Sequence, residues 1–185
     1  LKADYMEAHA PRTANGYVIE LGSMLSKAAD WEMVSGDIAK KVKNVKKEAV
    51  GSRLRYLEND EERERLIKHC APHLKPIVTL AMHTGMRQGE IFNLQWEDID
   101  LKQRIIIFKT GETKNNALAS IPINGTVVEL FKSLERHFKC PYVFFSREGG
   151  KRRDGSIKKA FNGACKRAKI SDFRFHDLRH DFASN

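Results

Sequence analysis

Arg87 and Arg179 stand ninety-two positions apart, the first in Thr84-Gly85-Met86-Arg87-Gln88-Gly89-Glu90 and the second in His176-Asp177-Leu178-Arg179-His180. Arginine is always charged and offers a planar fork of donors. Two of them converging from distant segments can grip one phosphodiester and stabilise the charge of a pentacoordinate transition state. Displacing an alkoxide from phosphorus needs that neutralisation, a donor to the departing oxygen, and a nucleophile in line. Two arginines, a lysine near a hairpin tip (Lys109 or Lys114) and His176 cover the first two needs without a metal ion. A divalent-metal mechanism would want clustered carboxylates, whereas Glu97, Asp98 and Asp100 read as a turn before a strand.

Each of these side chains also has a plain structural use. An arginine on a helix can cover a neighbour or meet a surface carboxylate. His176 can cap its helix, Lys114 can sit on a solvated tip, and Glu90 suits a first helical turn on dipole grounds alone.

The elements that must position these residues follow from periodicity and punctuation. Tyr17, Leu21, Met24, Leu25 and Ala28 recur at helical spacing and predict an amphipathic helix over Thr13–Trp31, one member of a bundle. Lys40 to Arg55, with Lys43, Lys46, Lys47 and Gly51, has few core candidates and reads as a basic linker, which places a domain boundary near residue 53. Asn59 or Asp60 caps a helix running toward Cys70, its early acids opposing the dipole. Leu74–His83 is apolar on most sides, predicts a buried central helix, and stops at Gly85.

Past the turn at 84–89, Glu90–Leu94 starts another helix. Arg104–Lys109 and Ala117–Ile123 read as the strands of a hairpin carrying Lys114 in its 110–116 connection. Asn124 caps a helix with Val127, Val128, Leu130, Phe131 and Leu134 on its apolar face, and a short strand is expected over Tyr142–Phe145. The basic loop 147–155 precedes a helix over about Ser156–Lys169, and the last helix begins near His176. These pieces imply an α+β fold, mainly helical: a helical bundle fragment over 1–52, then a mixed domain over 53–185 with a small antiparallel sheet.

Lys and Arg number 33 against 24 Asp and Glu, a net charge of +9. The excess is regional, with twelve cations against five anions over residues 139–185. Clustered cations attract polyanions by releasing condensed counterions, so nucleic acid is the first partner to consider. Lys151, Arg152 and Arg153 in the carboxy-terminal loop, and Lys43, Lys46 and Lys47 in the amino-terminal part, are the candidate DNA contacts. The fractions of hydrophobic (41%) and charged (31%) residues fit a globular domain, and no apolar run reaches membrane-spanning length. Cys70, Cys140 and Cys165 lie far apart with no metal-ligand or Cys-x-x-Cys spacing, which points to a reducing cytoplasm and to no metal or other cofactor. The start at Leu1 rather than Met suggests an internal start.

The order Thr-Gly-x-Arg-x-x-Glu, hairpin lysine, His-x-Leu-Arg-His closely resembles the tyrosine recombinase or phage integrase family. The resemblance covers nearly the whole chain: residues from about Arg55 look like most of that family's catalytic domain, and residues 1 to about 50 like the latter part of its core-binding domain. It implies that Arg87 and Arg179 each donate to non-bridging oxygens of the scissile phosphate and that Lys114 protonates the departing 5′ oxygen. His176 would bond the phosphate and move a proton, and Glu90 would support Arg87. The partner implied is double-stranded DNA, held by a homotetramer of the intact protein, with no membrane involved.

In the family a further His or Trp box and then a tyrosine nucleophile follow the second arginine. The resemblance therefore implies that this chain lacks its nucleophile, since Tyr5, Tyr17, Tyr56 and Tyr142 all precede that region. These 185 residues are expected to bind DNA without cleaving it, to be monomeric or weakly associating, and to leave Phe182 and Ala183 short of neighbours. Two other readings share the residues. One is a DNA-binding regulator or decoy that keeps the phosphate pocket and never cleaves, and the other is a type IB topoisomerase, which uses similar Arg-Lys-Arg logic to relax supercoils.

Overall fold

The computed structural model describes residues 9–51, 55–109, 118–146, 148–153 and 155–184. The chain divides into two compact units, Leu1–Arg53 and Leu54–Asn185. No helix among the described residues is long and apolar enough to cross a membrane.

Among its described residues the first unit is a pair of packed helices, α1 (Pro11–Asp30) and α2 (Gly36–Lys43). Proline at the first position of α1 presets φ where no amide partner is needed, and the Ser35 hydroxyl accepts from the Asp37 amide to start α2. Asp37 at one end of α2 and Lys40, Lys41 and Lys43 at the other complement its dipole. The expected basic linker is thus corrected at its start, because Lys40–Lys43 form the end of α2. The helical spacing of Ile38, Ala39 and Val42 behind a serine cap was the overlooked signal.

The packed face of α1 is also rotated from the expected one. Ala14 and Gly22 are buried, whereas Tyr17, Leu21 and Met24 are exposed. Gly22 lets α2 approach closely, since a Cβ there would lie 3.4 Å from the Lys43 side chain. Asn15 then holds the chain beyond α2 by two bonds to the Glu48 backbone, donating to its carbonyl and accepting from its amide, each at 2.9 Å.

The second unit is built around α4 (Lys75–Thr84), whose residues Ile77 to Met82 are all buried. Ahead of it runs α3 (Asp60–His69), capped by Asn59, whose carbonyl oxygen accepts from the Glu62 amide at 2.9 Å. After α5 (Gln88–Asn93) and a 3₁₀ turn at Trp96–Asp98 come three strands: β1 (Ile99–Asp100), β2 (Ile105–Lys109) and β3 (Leu118–Pro122). They form an antiparallel sheet in the order β1-β2-β3, with Ile106 opposite both Ile99 and Ile121. β1 escaped the sequence reading because it is only two residues long.

The carboxylates at the start of the sheet have backbone duties. Asp98 accepts from the Gln95 amide, and Asp100 accepts from the amides of Lys102 and Gln103, each at 2.9 Å. No group of three potential metal-ligating side chains occurs among the described residues.

Helix α6 (Gly125–Ser133) follows the sheet, and α7 (Lys158–Arg167) and α8 (Asp177–Ala183) close the unit. Tyr142–Phe145 does not form the expected strand. Tyr142 and Phe145 each make one isolated bridge, to Gln95 and Lys151 respectively. The core gathers Leu66, Leu80, Phe92, Ile106, Phe131, Phe161 and Leu178 into one cluster. Cys165 belongs to it and Cys70 lies against it, both free thiols pushed by burial up to about 11, so they stay protonated near neutral pH.

His83, in the last turn of α4, is tied to the cap of α6. Asn124 uses its carbonyl oxygen to accept from the Val127 amide at 3.1 Å, so the nitrogen 3.0 Å from His83 Nδ1 is a donor. His83 therefore accepts on Nδ1 and is neutral in this arrangement. Burial pushes its pKa down, so the folded chain binds fewer protons than the unfolded chain. Its contribution to stability is complete above about pH 6.5 and declines as pH falls through that value. His83→Gln is expected to flatten the fall in urea midpoint between about pH 7 and pH 5. An unchanged slope would show that another group causes it.

Candidate active site

Helix α4 ends because Gly85 adopts φ +62°, the left-handed conformation that costs glycine least, while its amide still reaches the Ala81 carbonyl at 2.9 Å. The Thr84 hydroxyl donates to the Leu80 carbonyl at 2.6 Å and fixes the same turn. Arg87 then sits just before α5, where Glu90 bonds it twice. One carboxylate oxygen accepts from the Arg87 amide at 2.7 Å and the other from its guanidinium at 2.9 Å. The Arg87 side chain is 61% exposed, so this pair contributes little to stability.

Helix α8 packs against α4 and brings the second arginine to the same turn. Arg179 Nη1 donates to the Gly85 carbonyl at 2.7 Å, two residues before Arg87. Phe182 lies over Gly85 so closely that a Cβ there would come within 2.5 Å of its ring. Phe182 is still 43% exposed, and Ala183 is exposed.

His176 precedes α8 and makes no side-chain capping bond. It is exposed, with its ring edge-on to His180 at 5.3 Å. Asp177 starts the helix instead, buried and accepting from the Arg174 amide at 2.8 Å. Lys114 lies outside the described residues, and the pairing of Lys109 with Leu118 marks where β2 and β3 lead to it.

The other candidate cations lie apart from this turn in sequence. Lys43, Lys46 and Lys47 are exposed in the first unit. Lys151 and Arg153 are exposed and Arg152 is half-buried. Arg152 and Arg153 line a cavity of about 680 Å³ together with His73, Ser146, Glu148 and Ser156.

Sequence reasoning missed Gly85's contact with Phe182 and the role of Asp181, which is only 1% exposed. The signal for Asp181 was its place three residues after Leu178, a carboxylate on the apolar side of a helix. A charge there requires a buried partner. Arg63 supplies it through bonds of 3.0 Å to both carboxylate oxygens, and Asp181 together with Asp60 raises the arginine's pKa further.

Residues 55–185 match the phage integrase family. The integrase of Salmonella phage P22 is 34% identical over 167 residues, which cover 84% of this chain and 41% of that protein. Among solved structures, a lambda integrase dimer bound to a COC′ core site superposes with a TM-score of 0.77 at 18% identity, covering 99% of this chain and 69% of that one. A lambda integrase tetramer bound to a Holliday junction gives the same score and identity, covering 99% and 56%. The chain spans about two fifths of the length of the curated relatives it matches. Match and fold agree: this chain belongs to the phage integrase family of tyrosine recombinases.

Proposed function

We propose that this chain is the DNA-binding and phosphate-activating part of a site-specific recombinase. The observation that carries the reading is the bond from Arg179 to the Gly85 carbonyl, which anchors the second arginine at the turn bearing the first. In this reading Arg87 and Arg179 donate to the non-bridging oxygens of the scissile phosphate, with Glu90 orienting Arg87. A tyrosine oxygen attacks phosphorus in line, the 5′ oxygen leaves with a proton from Lys114, and His176 bonds the phosphate and shuttles the nucleophile's proton. The resulting 3′-phosphotyrosyl bond retains the energy for rejoining, so strand exchange needs no high-energy cofactor.

Double-stranded DNA is the substrate and partner. Lys43, Lys46, Lys47, Lys151, Arg152 and Arg153 track its phosphates, the first unit acting as part of a clamp and the second as the catalytic domain. The intact protein works in the cytoplasm, and as a tetramer by analogy with the lambda integrase tetramer.

The nucleophile is none of the four tyrosines present. Tyr17 lies on the side of α1, Tyr142 is held in a bridge to Gln95, and neither these nor Tyr5 and Tyr56 follow the second arginine in the chain. Incubated with a nicked recombination site, these 185 residues should retard the DNA and form no covalent adduct. A tyrosine-linked protein–DNA species in denaturing gels would overturn the assignment.

A further inference from the structure

We infer that Asp181 is a positioning residue for the phosphate site, holding the helix of Arg179 in place from the side away from Gly85; this rests on the reading of Arg179 as a phosphate ligand. Tertiary anchors along Asp177–Ala183 fix where the side chains of α8 stand. Leu178 anchors it in the core, and Phe182 anchors it on Gly85.

Asp181 supplies an anchor of a different kind. One carboxylate oxygen accepts from the Leu57 amide and from Arg63 Nη2, the other from Arg63 Nε, all at 3.0 Å. Arg63 is in turn held by Asp60 at 2.7 Å. Two residues along a helix turn the side chain by about 200°, so Arg179 and Asp181 face nearly opposite ways. The helix is therefore gripped from both sides, by the α4 carboxyl end through Arg179 and by α3 and the Leu57 backbone through Asp181. Leu57 is itself 1% exposed and lies three residues into its unit, so the grip ties the beginning of that unit to its last helix. Rotation or sliding of α8 would break this bidentate pair, and the pair thereby sets the reach of Arg179.

A merely structural role for the pair predicts that apolar replacement is harmless, because a buried ion pair exchanged for hydrophobic residues of similar volume often retains stability. Inorganic phosphate titrated into the whole chain, followed at the guanidinium NMR signals of Arg87 and Arg179, separates the two roles. The double variant Asp181→Leu/Arg63→Met is expected to fold, with an unfolding midpoint lowered only by the Leu57 amide it leaves unpaired, and to bind phosphate at least about tenfold more weakly. Asp181→Asn keeps a carbonyl for the Leu57 amide, should show an intermediate loss, and decides the question alone if the double variant does not fold. Unchanged phosphate affinity in the folded variants, with binding intact in the unaltered chain, overturns the positioning role and leaves the proposed function standing. No response at either arginine in the unaltered chain overturns the proposed function and this inference with it.

Discussion

Arg87→Ala and Arg179→Ala, made singly in the intact protein, are each expected to slow strand cleavage by about 10²–10³-fold, the ~3–4 kcal/mol typical of removing a preorganised donor from a developing charge. Overall DNA affinity should fall only a few-fold, because the many lysines and arginines along the duplex share that work. The separation is the informative part. A surface cation lost from the DNA interface would weaken binding and the salt dependence together, whereas a transition-state ligand mainly lowers the rate at saturating DNA. The combined variant should cost less than the sum of the two, since in the proposed site both arginines serve one phosphate. Single-turnover cleavage of a nicked site measures all three effects, and cleavage unaffected by either substitution would remove the pocket from the mechanism.

Gly85→Ala should destabilise the second unit by about 3 kcal/mol, seen as a drop of roughly 10 °C in the unfolding midpoint. Two causes add. A side chain at φ +62° adopts a left-handed backbone that costs ~1–2 kcal/mol, and the new methyl would meet the Phe182 ring at 2.5 Å. Phe182→Ala in the same chain should relieve the second cause and leave the first, so the double variant separates backbone strain from the clash. The substitution also displaces the carbonyl that holds Arg179, so loss of phosphate contacts should accompany loss of stability. A stability change below about 1 kcal/mol would show that α8 does not sit against this turn as described.

Much of the fold was legible because the determinants were local. Asn59 and Asn124 announced their helices by capping chemistry, Gly85 announced the end of α4, and the Ile105–Ile107 run announced β2. The failures occurred where distant contacts decide. The inner face of α1 is set by how closely α2 approaches Gly22, so a face of small residues packs while the larger Tyr17, Leu21 and Met24 stay outside. β1 exists only as a partner for β2, and Tyr142–Phe145 has strand composition yet finds no ladder to join.

The candidate site divides along the same line. The types and order of Arg87, Lys114, His176 and Arg179 could be read directly, and so could the closeness of Glu90 to Arg87 in sequence. The bond from Arg179 to Gly85 and the Asp181–Arg63 pair join residues 94 and 118 positions apart, respectively, and no periodicity encodes them.

The most direct measurement is a crystal structure of this chain bound to a nicked duplex carrying its recombination site. The arrangement described here predicts one backbone phosphate within hydrogen-bonding distance of the guanidinium groups of both Arg87 and Arg179, beside His176. Two arginines on different phosphates, or either one turned away from the DNA, would contradict it.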